Sequence, residues 1–161
     1  MMSPSVAGAG EQAAGSLTEY VSAAVGDQLF AVPILRVRDV FVPEGMTRVP
    51  LAPPEVFGVL NLRGRIVTMI DMRQRLGLVR RPITAAAVAL HIDLAAESYG
   101  LIVDTVGEVL TLPDVSREPN PANLDKLFAS VSAGVHRLED RLMVVLDVDR
   151  VLDVGAHRVA A

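Results

Sequence analysis

Apolar residues recur at short range along most of this chain, in runs that are too brief for long helices. Two such runs, Thr18 to Val25 and Gln28 to Val32, flank the pair Gly26-Asp27. A Gly-containing pair between two strand-like runs is typical of a β-hairpin. Pro33 has no N–H to donate to a strand ladder, so we expect the second strand to end there or to lie on a sheet edge.

The clearest alternation of apolar and polar positions lies between residues 87 and 94. One set of side chains faces one way: Val88, Leu90, Ile92 and Leu94. The other set faces the opposite way: Ala87, Ala89, His91 and Asp93. Strict alternation indicates a strand with one face in the core and one face towards solvent, so we expect a half-buried strand here.

Prolines mark the long connections between these strands. Four of them fall between Val42 and Pro54, and a second irregular stretch runs from Pro113 to Pro121. Prolines at this density are incompatible with regular structure. The four in the first connection are Pro43, Pro50, Pro53 and Pro54.

Helical signals are few and short. The best are Met72 to Leu76 and Val148 to Leu152, which follow Asp71 and Asp147 respectively. An Asp before a helix accepts hydrogen bonds from free backbone N–H groups at its start. The chain is therefore predicted to be mainly β, with about ten short strands arranged as small barrels or a sandwich.

The composition fits one compact unit without redox or nucleic-acid chemistry. A chain of 161 residues is long enough to bury a core. Its net charge of −4 argues against a nucleic-acid partner, because such proteins carry a basic field. The local basic cluster Arg73, Arg75, Arg80 and Arg81 is interpreted as a solvated turn. The absence of Cys excludes disulfides and thiolate sites and favours a cytoplasmic location.

The ends of the chain are predicted to lie outside the folded domain. Residues 1–16 are rich in Ala, Gly and Ser and have neither the basic start nor the apolar run of a signal peptide, so they are interpreted as a disordered tail. We assign residues 17–155 to the domain and 156–161 to a second tail. Nowhere does an apolar run approach the roughly 18 residues of a membrane-spanning helix, so no membrane insertion is expected.

Two segments of the first half reappear in the second half in the same order. Residues 30–40 match residues 99–109 without a gap, and residues 58–72 match residues 134–148 in the same way. Such a repeat indicates two related lobes, each marginal alone and stabilised by packing against the other. Chance agreement between Val-rich strands is the alternative.

The two copies differ at the turn between their last two strands. The second copy has Arg137-Leu138-Glu139-Asp140, which is ordinary turn chemistry, and the first has Asn61-Leu62-Arg63-Gly64. Gly64 permits a left-handed backbone, and Arg63 is expected to project from the tip. An Arg on a rigid turn offers a planar fork of donors to a partner's carboxylates or carbonyls, although a plain exposed Arg is equally consistent with the residues alone.

The segment from Gly58 to Arg73, GVLNLRGRIVTMIDMR, resembles the signature of CheW-type chemotaxis coupling proteins. The resemblance extends in order and spacing through Ile34 to Val37, Thr47 to Pro50 and Tyr99 to Asp104. It covers nearly everything after the first tail. Three departures, at Phe30-Ala31, Pro33 and Thr68, concern detail and do not touch the turn at Arg63.

The resemblance implies two intertwined SH3-like five-stranded β-barrels and a role without catalysis or cofactors. Members of the family connect the cytoplasmic tip of a methyl-accepting chemoreceptor to the regulatory domain of the histidine kinase CheA, and so build signalling arrays at the membrane. Carried over by position, the receptor-binding residues are Arg63, Val37, Asp39, Gly58, Asn61, Gly64 and Val88. The resemblance does not identify residues that contact the kinase.

Two other functions are weighed against this one. The first is a CheW-like regulatory module that acts outside receptor arrays. The second is a two-lobed aspartic-type hydrolase with Asp71 and Asp147 as paired carboxylates. It is disfavoured because Thr or Ser and Gly do not follow either Asp, and helix N-caps explain both acids.

The three histidines, His91, His136 and His157, lack the close spacing of metal ligands and are interpreted as ordinary surface or strand residues.

Overall fold

The fold is built from ten short β-strands, seen in a computed structural model that describes residues 15–83 and 86–153. Most of the predicted first tail, 1–16, and all of the predicted second tail, 156–161, lie outside the described residues. Within the described residues no helix is long and apolar enough to cross a membrane.

The strands follow one another closely, and their order divides the chain into two halves of five. The first half contains β1 (Leu17–Val25), β2 (Gln28–Pro33), β3 (Val37–Phe41), β4 (Val56–Leu62) and β5 (Arg65–Asp71). The second half contains β6 (Val88–Leu94), β7 (Glu97–Val103), β8 (Thr105–Pro113), β9 (Ser132–Arg137) and β10 (Leu142–Leu146).

The helices are short. Among residues 16–83 and 86–153 they are α1 (Met72–Arg75), α2 (Lys126–Ser130) and α3 (148–153). Single 3-10 turns cover Ile34–Arg36 and Asp114–Ser116.

The two halves exchange strands, so neither sheet is formed by one continuous segment. One five-stranded sheet has the order β8-β1-β2-β10-β9, and the other has the order β3-β6-β7-β5-β4. Each therefore joins two strands from one half to three from the other. The two orders become identical when every strand is replaced by its counterpart in the other half. This arrangement confirms the prediction of two intertwined five-stranded lobes.

The strand register confirms that the lobes arose from a repeat. The halves meet through parallel pairs, β5 with β7 and β10 with β2. Thr68 pairs with Tyr99 in one lobe, and Val144 pairs with Phe30 in the other. These two pairs are equivalent in the sequence repeat. A slip by one residue would turn every side chain of a strand to the opposite face of the sheet. The identical register therefore supports the equivalence of the two lobes.

The predicted first hairpin is present, with Gly26 in the left-handed conformation at φ 60°. Pro33 is the last residue of β2 and pairs with Tyr20. Of the two possibilities for Pro33, the structure shows a strand end rather than a sheet edge, since β2 lies between β1 and β10.

The strand β6 is not half-buried as predicted. Ala89, Leu90, His91 and Ile92 are all buried, so both of its faces are covered along the centre. Leu90 and Ile92 belong to the main apolar cluster, and Ala89 belongs to a second cluster on the other face. Alternation alone does not distinguish solvent from a second apolar layer, and here Ala89 on the second face packs with Val67 and Met69.

The main apolar cluster spans both lobes, and each lobe adds a smaller cluster of its own. Phe30 and Val144 from one sheet belong to the main cluster together with Ile70 and Leu101 from the other. Burial of such side chains stabilises the fold by roughly 1.5–3 kcal/mol each before chain entropy is subtracted. Since the largest cluster draws on both lobes, separating them would expose it.

Both predicted Asp caps are present. The Asp71 carboxylate accepts a hydrogen bond from the backbone N–H of Arg73 at 3.1 Å, and the Asp147 carboxylate accepts one from the N–H of Arg150 at 3.3 Å. The helix α2 was not predicted. Its cap is Asp125, which accepts from the N–H of Leu127 at 2.9 Å, but the segment is too short for a periodic signal.

The interpretation of the basic cluster as a solvated turn is wrong for two of its arginines. Arg73 makes two hydrogen bonds to Asp104, of 2.9 and 2.7 Å, and Asp104 also accepts from the backbone N–H of Gly26. Arg75 is buried and donates to the carbonyl oxygens of Val151 and Arg150 at 3.1 and 3.0 Å. These side chains tie α1 to the second half of the chain.

Replacement of Arg75 by Met is expected to destabilise the protein by about 1–3 kcal/mol. Met occupies similar space but leaves two carbonyl groups of α3 without donors. Urea unfolding followed by circular dichroism measures the effect. The matched control is Arg36→Met, which removes an exposed ion pair with Asp149 and is expected to cost less than about 1 kcal/mol. Equal destabilisation by the two variants would contradict the structural role of Arg75.

Candidate functional site

The turn between β4 and β5 presents Arg63 on a rigid two-residue loop. Arg63 and Gly64 both have left-handed backbones, with φ of 51° and 88°. Two such residues between antiparallel strands form the tight hairpin turn whose twist matches that of the strands. The Asn61 side chain accepts a hydrogen bond from the Gly64 N–H at 2.8 Å and braces the turn. The prediction for Gly64 is confirmed, and the left-handed backbone of Arg63 was not foreseen.

Arg63 forms an ion pair with Asp39, a second residue of the predicted site. The guanidinium donates to the carboxylate of Asp39, and the side chains remain 67% and 35% exposed. This hydrogen bond from Arg63 holds the pKa of Asp39 below its ordinary value. Asp39 lies on β3 and Arg63 follows β4, which are the two outer strands of their sheet. The pair thus joins the two ends of the sheet and remains accessible to a partner.

A second carboxylate, Asp93 on β6, lies beside this ion pair. It accepts hydrogen bonds from Arg38 and from the Ser98 hydroxyl, both at 2.8 Å, and lies 3.8 Å from the Arg65 guanidinium. Burial raises the pKa of Asp93, but the hydrogen bonds from Ser98 and Arg38 outweigh it and the net pKa lies below the ordinary value. Asp93 therefore carries a negative charge at neutral pH and orients two arginines.

The buried ring of His91 forms the inner side of the same depression. Its Nε2 lies 3.3 Å from the Asp93 carboxylate but out of line for a hydrogen bond, and Nδ1 is also without a hydrogen-bond partner. The ring packs edge-on against Phe41, with the centroids 6.3 Å apart. We call the depression the Arg63 pocket. Its lining residues are Arg38, Asp39, Leu62, Arg63, Arg65 and His91.

Val37 and Val88 are half-buried and pack against the main apolar cluster. Val37 pairs with Ile92 near one end of β6, whereas Val88 begins that strand. At about 3.3 Å per residue, Val88 lies roughly 10 Å along the strand from His91. The structure thus brings Val37, Asp39, Asn61, Arg63 and Gly64 close together and places Val88 farther along β6.

Gly58 differs from the other predicted contact residues because it is buried. A Cβ at this position would lie 2.3 Å from the carbonyl oxygen of Thr47, since the connection after β3 crosses directly over it. Thr47 and Val59 exchange backbone hydrogen bonds of 2.7 and 2.8 Å there. The structure explains this glycine by close backbone approach, and as a direct receptor contact Gly58 is not supported.

The equivalent surface of the other lobe has a different charge. In the repeat, Glu108 corresponds to Asp39 and Glu139 corresponds to Arg63, so two acids stand where the first lobe has an ion pair. Arg137, beside that turn, pairs instead with Glu118 at 3.0 Å. The Arg63 pocket is therefore a property of one lobe and not of the fold as such.

The geometry gives no support to the hydrolase alternative. Asp71 and Asp147 each bind the start of a different helix, as described above, and Asp71 also lies 3.5 Å from Arg80. Across residues 15–83 and 86–153, no three His, Asp or Glu side chains are grouped as metal ligands. Of the two possibilities, surface or strand residues, His91 and His136 are strand residues and both are buried, and His157 lies outside the described residues.

Four residues of the surface were not recognised as part of a site from the sequence: Arg38, Arg65, His91 and Asp93. The alternation along β6 placed His91 and Asp93 on one face, which was the available signal. Arg38 and Arg65 belong to strands far apart in the sequence. Only the order of strands in the sheet brings them to one carboxylate.

Comparison with known proteins identifies close parallels to both sequence and fold. Residues 19–155 match the family described as CheW-like domain. The chemotaxis protein CheW of Rhizobium meliloti (strain 1021) is 33% identical over 133 residues, which cover 83% of this chain and 86% of that protein. CheW of Helicobacter pylori (strain ATCC 700392 / 26695) is 30% identical over 149 residues, covering 91% and 88%. The crystal structure of the scaffolding protein TtCheW from Thermoanaerobacter tengcongensis superposes with a TM-score of 0.78 at 24% identity, covering 87% of this chain and 95% of that one.

Replacement of Asp93 by Asn is expected to destabilise the protein in a pH-dependent manner. A carboxylate whose pKa is lowered by folding stabilises the native state above its unfolded pKa, about 3.9, and this contribution is lost as the pH falls through the lower folded pKa. The difference in unfolding free energy between the wild type and Asp93→Asn should therefore be greatest near pH 7 and shrink below pH values of about 4. Urea titrations at several pH values measure it.

The control for this series is Asp140→Asn, at an exposed position in the turn of the other lobe. Its effect on the unfolding free energy at neutral pH should be small, because the side chain is exposed and surface substitutions usually cost little. A difference for Asp93→Asn that grows on acidification would contradict the assignment.

Proposed function

This chain belongs to the CheW-like family, and on that premise we propose that it is a non-catalytic adaptor that couples chemoreceptors to a CheA-type histidine kinase. The family consists of scaffold proteins rather than enzymes, in agreement with the prediction that the chain has no catalytic activity. Its relatives of known name are chemotaxis proteins. The proposal adds two specific partners, a chemoreceptor and a kinase, to the chemotaxis role named for these relatives.

The observation that carries the receptor-binding proposal is the exposed Arg63 on its braced turn. Its guanidinium is held by Asp39 but remains two-thirds exposed, so donors are available to a second molecule. A rigid turn also limits the entropy that would be lost when a partner binds. Arginines in this setting are common anchors of protein interfaces.

The proposed receptor surface centres on Arg63, Asp39, Asn61 and Gly64. Val37 and Val88 lie on the neighbouring strands and would add apolar contact at the edge. Gly58 would act indirectly, by allowing the connection at Thr47 to lie close to β4. The partner would be the helical cytoplasmic tip of a methyl-accepting chemoreceptor.

The kinase partner would be the regulatory domain of CheA, which shares this fold according to the family resemblance. We place the adaptor in the cytoplasm, held at membrane receptor arrays only through its partners. Signals would then pass through changes in the relative placement of receptor and kinase, without chemistry in this chain.

Reconstitution tests the function as a whole. Purified full-length protein is added to a CheA-type kinase and a receptor signalling fragment, and kinase autophosphorylation is measured with and without receptor. Receptor control of phosphorylation is expected only when the adaptor is present. If the protein binds kinase but never receptor, it acts as a regulatory module outside arrays, and the coupling proposal is wrong.

The variant Arg63→Asp is expected to weaken binding to the receptor fragment by at least about 2 kcal/mol, because it reverses the charge of an interface anchor. Calorimetric titration measures the affinity, and circular dichroism verifies that the variant is folded. Arg137→Asp is the matched control, since Arg137 is 62% exposed and also pairs with one acid beside the equivalent turn. Unchanged affinity for Arg63→Asp would remove Arg63 from the receptor surface.

A further inference from the structure

The smaller apolar clusters of the two lobes differ at one buried position. Leu60 pairs with Val67 across β4 and β5, and His136 pairs with Met143 across β9 and β10. The two pairs are equivalent in the sequence repeat. Leu60 is 4% exposed and His136 is 2% exposed. The lobe with the order β8-β1-β2-β10-β9, which we call the His136 lobe, therefore has an ionisable ring where the other lobe has an aliphatic side chain.

The ring of His136 lies against apolar groups and not in a polar network. It packs edge-on against the ring of Tyr20 on β1, with the centroids 5.7 Å apart. Tyr20 and Met143 both belong to the smaller apolar cluster of this lobe. The Nε2 atom of His136 is buried and has no hydrogen-bond partner. A protonated imidazole has two N–H donors and a positive charge, so this position suits the neutral ring and disfavours the charged one.

The charged side chains that act on His136 come from the segment that follows β8. Burial has the largest influence and lowers the pKa of His136, and Arg117 lowers it further. Asp114 and Glu118 raise the pKa, but Glu118 is already paired with Arg137 at 3.0 Å. The net pKa of His136 therefore lies below the ordinary value of a histidine.

The same segment is joined to β9 by two backbone hydrogen bonds next to His136. Glu118 and Val135 exchange these bonds, each of 2.8 Å. In the other lobe Thr47 and Val59 exchange equivalent bonds of 2.7 and 2.8 Å, and Val59 corresponds to Val135 in the repeat. We call each such pair of bonds a closure. The molecule thus contains the same closure twice, once beside a histidine and once beside a leucine.

We propose that His136 is an acid-sensitive switch, which opens the closure between Glu118 and Val135 when the pH falls below about 6.5. The neutral ring fills the apolar cluster in the closed form, whereas the charged ring is hydrated only after local opening. Because the pKa of His136 is lowered in the closed form, the open form binds the proton more tightly. Acidification therefore shifts the population towards the open form.

The other lobe also buries a histidine, but the surroundings of that ring are different. Nε2 of His91 lies 3.3 Å from the Asp93 carboxylate. A negative charge at this distance balances a positive ring, so protonation of His91 does not require the lobe to open. The two closures are therefore expected to respond differently to acid.

Amide hydrogen exchange in the full-length wild-type protein tests the proposal. Exchange is followed by NMR at pH 7.5 and pH 5.5, and each rate is corrected for the intrinsic effect of pH. Protection of the Val135 N–H is expected to fall by about threefold to tenfold, since at one unit below the ordinary histidine pKa of about 6.5 protonation raises the open population by up to about tenfold. Protection of the Val59 N–H should change by less than about twofold.

The matched variant His136→Leu installs the residue of the other lobe at the same position. It is expected to remove the fall in protection at Val135, whereas His91→Leu should retain it. A second measurement needs no substitution, because the carbon-bound ring protons of His136 report its titration by NMR. Their midpoint in the wild-type protein should lie below about 6.5.

Three results would overturn the switch. The first is equal loss of protection, or none, at Val135 and Val59 in the wild-type protein. The second is a His136 ring that titrates at or above the ordinary histidine value. The third is an undiminished fall at Val135 in a folded His136→Leu variant, which would assign the response to another group. The first two are measured on the wild type, so they decide the matter even if the variant does not fold.

Discussion

The parallel pairing of strands from opposite halves is the constraint on which the rest of the structure depends. β5 pairs with β7 and β10 pairs with β2, so each sheet is complete only when both halves contribute. These strands lie in the interior of their sheets, and their side chains reach the main apolar cluster. The two halves of the chain cannot separate without breaking these backbone hydrogen bonds, so neither half forms a complete sheet by itself.

The same exchange explains where the charged side chains are placed. Arg38 lies on β3 and Asp93 on β6, and they meet because these strands are neighbours although they belong to different halves. Arg73 and Asp104 likewise join α1 of the first half to the end of β7 in the second. Buried or half-buried ion pairs of this kind are costly when one partner is lost. They fix how the halves are aligned, whereas the guanidinium of Arg63 stays largely exposed.

The sequence predicted the architecture well because the repeat carries long-range information. The matched segments 58–72 and 134–148 correspond to the same strand, turn and helix start in each lobe, and the first hairpin and both Asp caps followed from local rules. The turn at Arg63 and Gly64 was also recognised from its glycine.

What local patterns did not reveal was contact between distant residues. The exposed-face interpretation of His91 failed because the alternation along β6 does not say what covers its second face. The interpretation of Arg75 as solvated is wrong because no residue near it in the sequence predicts the carbonyl oxygens of α3 as acceptors. Gly58 appeared as a contact residue, whereas the crossing at Thr47 that requires a glycine depends on the path of a proline-rich connection.

The exchange of strands also has a consequence for synthesis on the ribosome. Gln28 on β2 makes a hydrogen bond to Leu142, which is 114 residues later in the chain. During synthesis β2 therefore lacks its neighbour β10 until those residues have been added. Chains dominated by such distant pairings fold slowly, and their unpaired strand edges are prone to aggregate in the interval. The nascent first half is thus the form of this protein that is most exposed to aggregation.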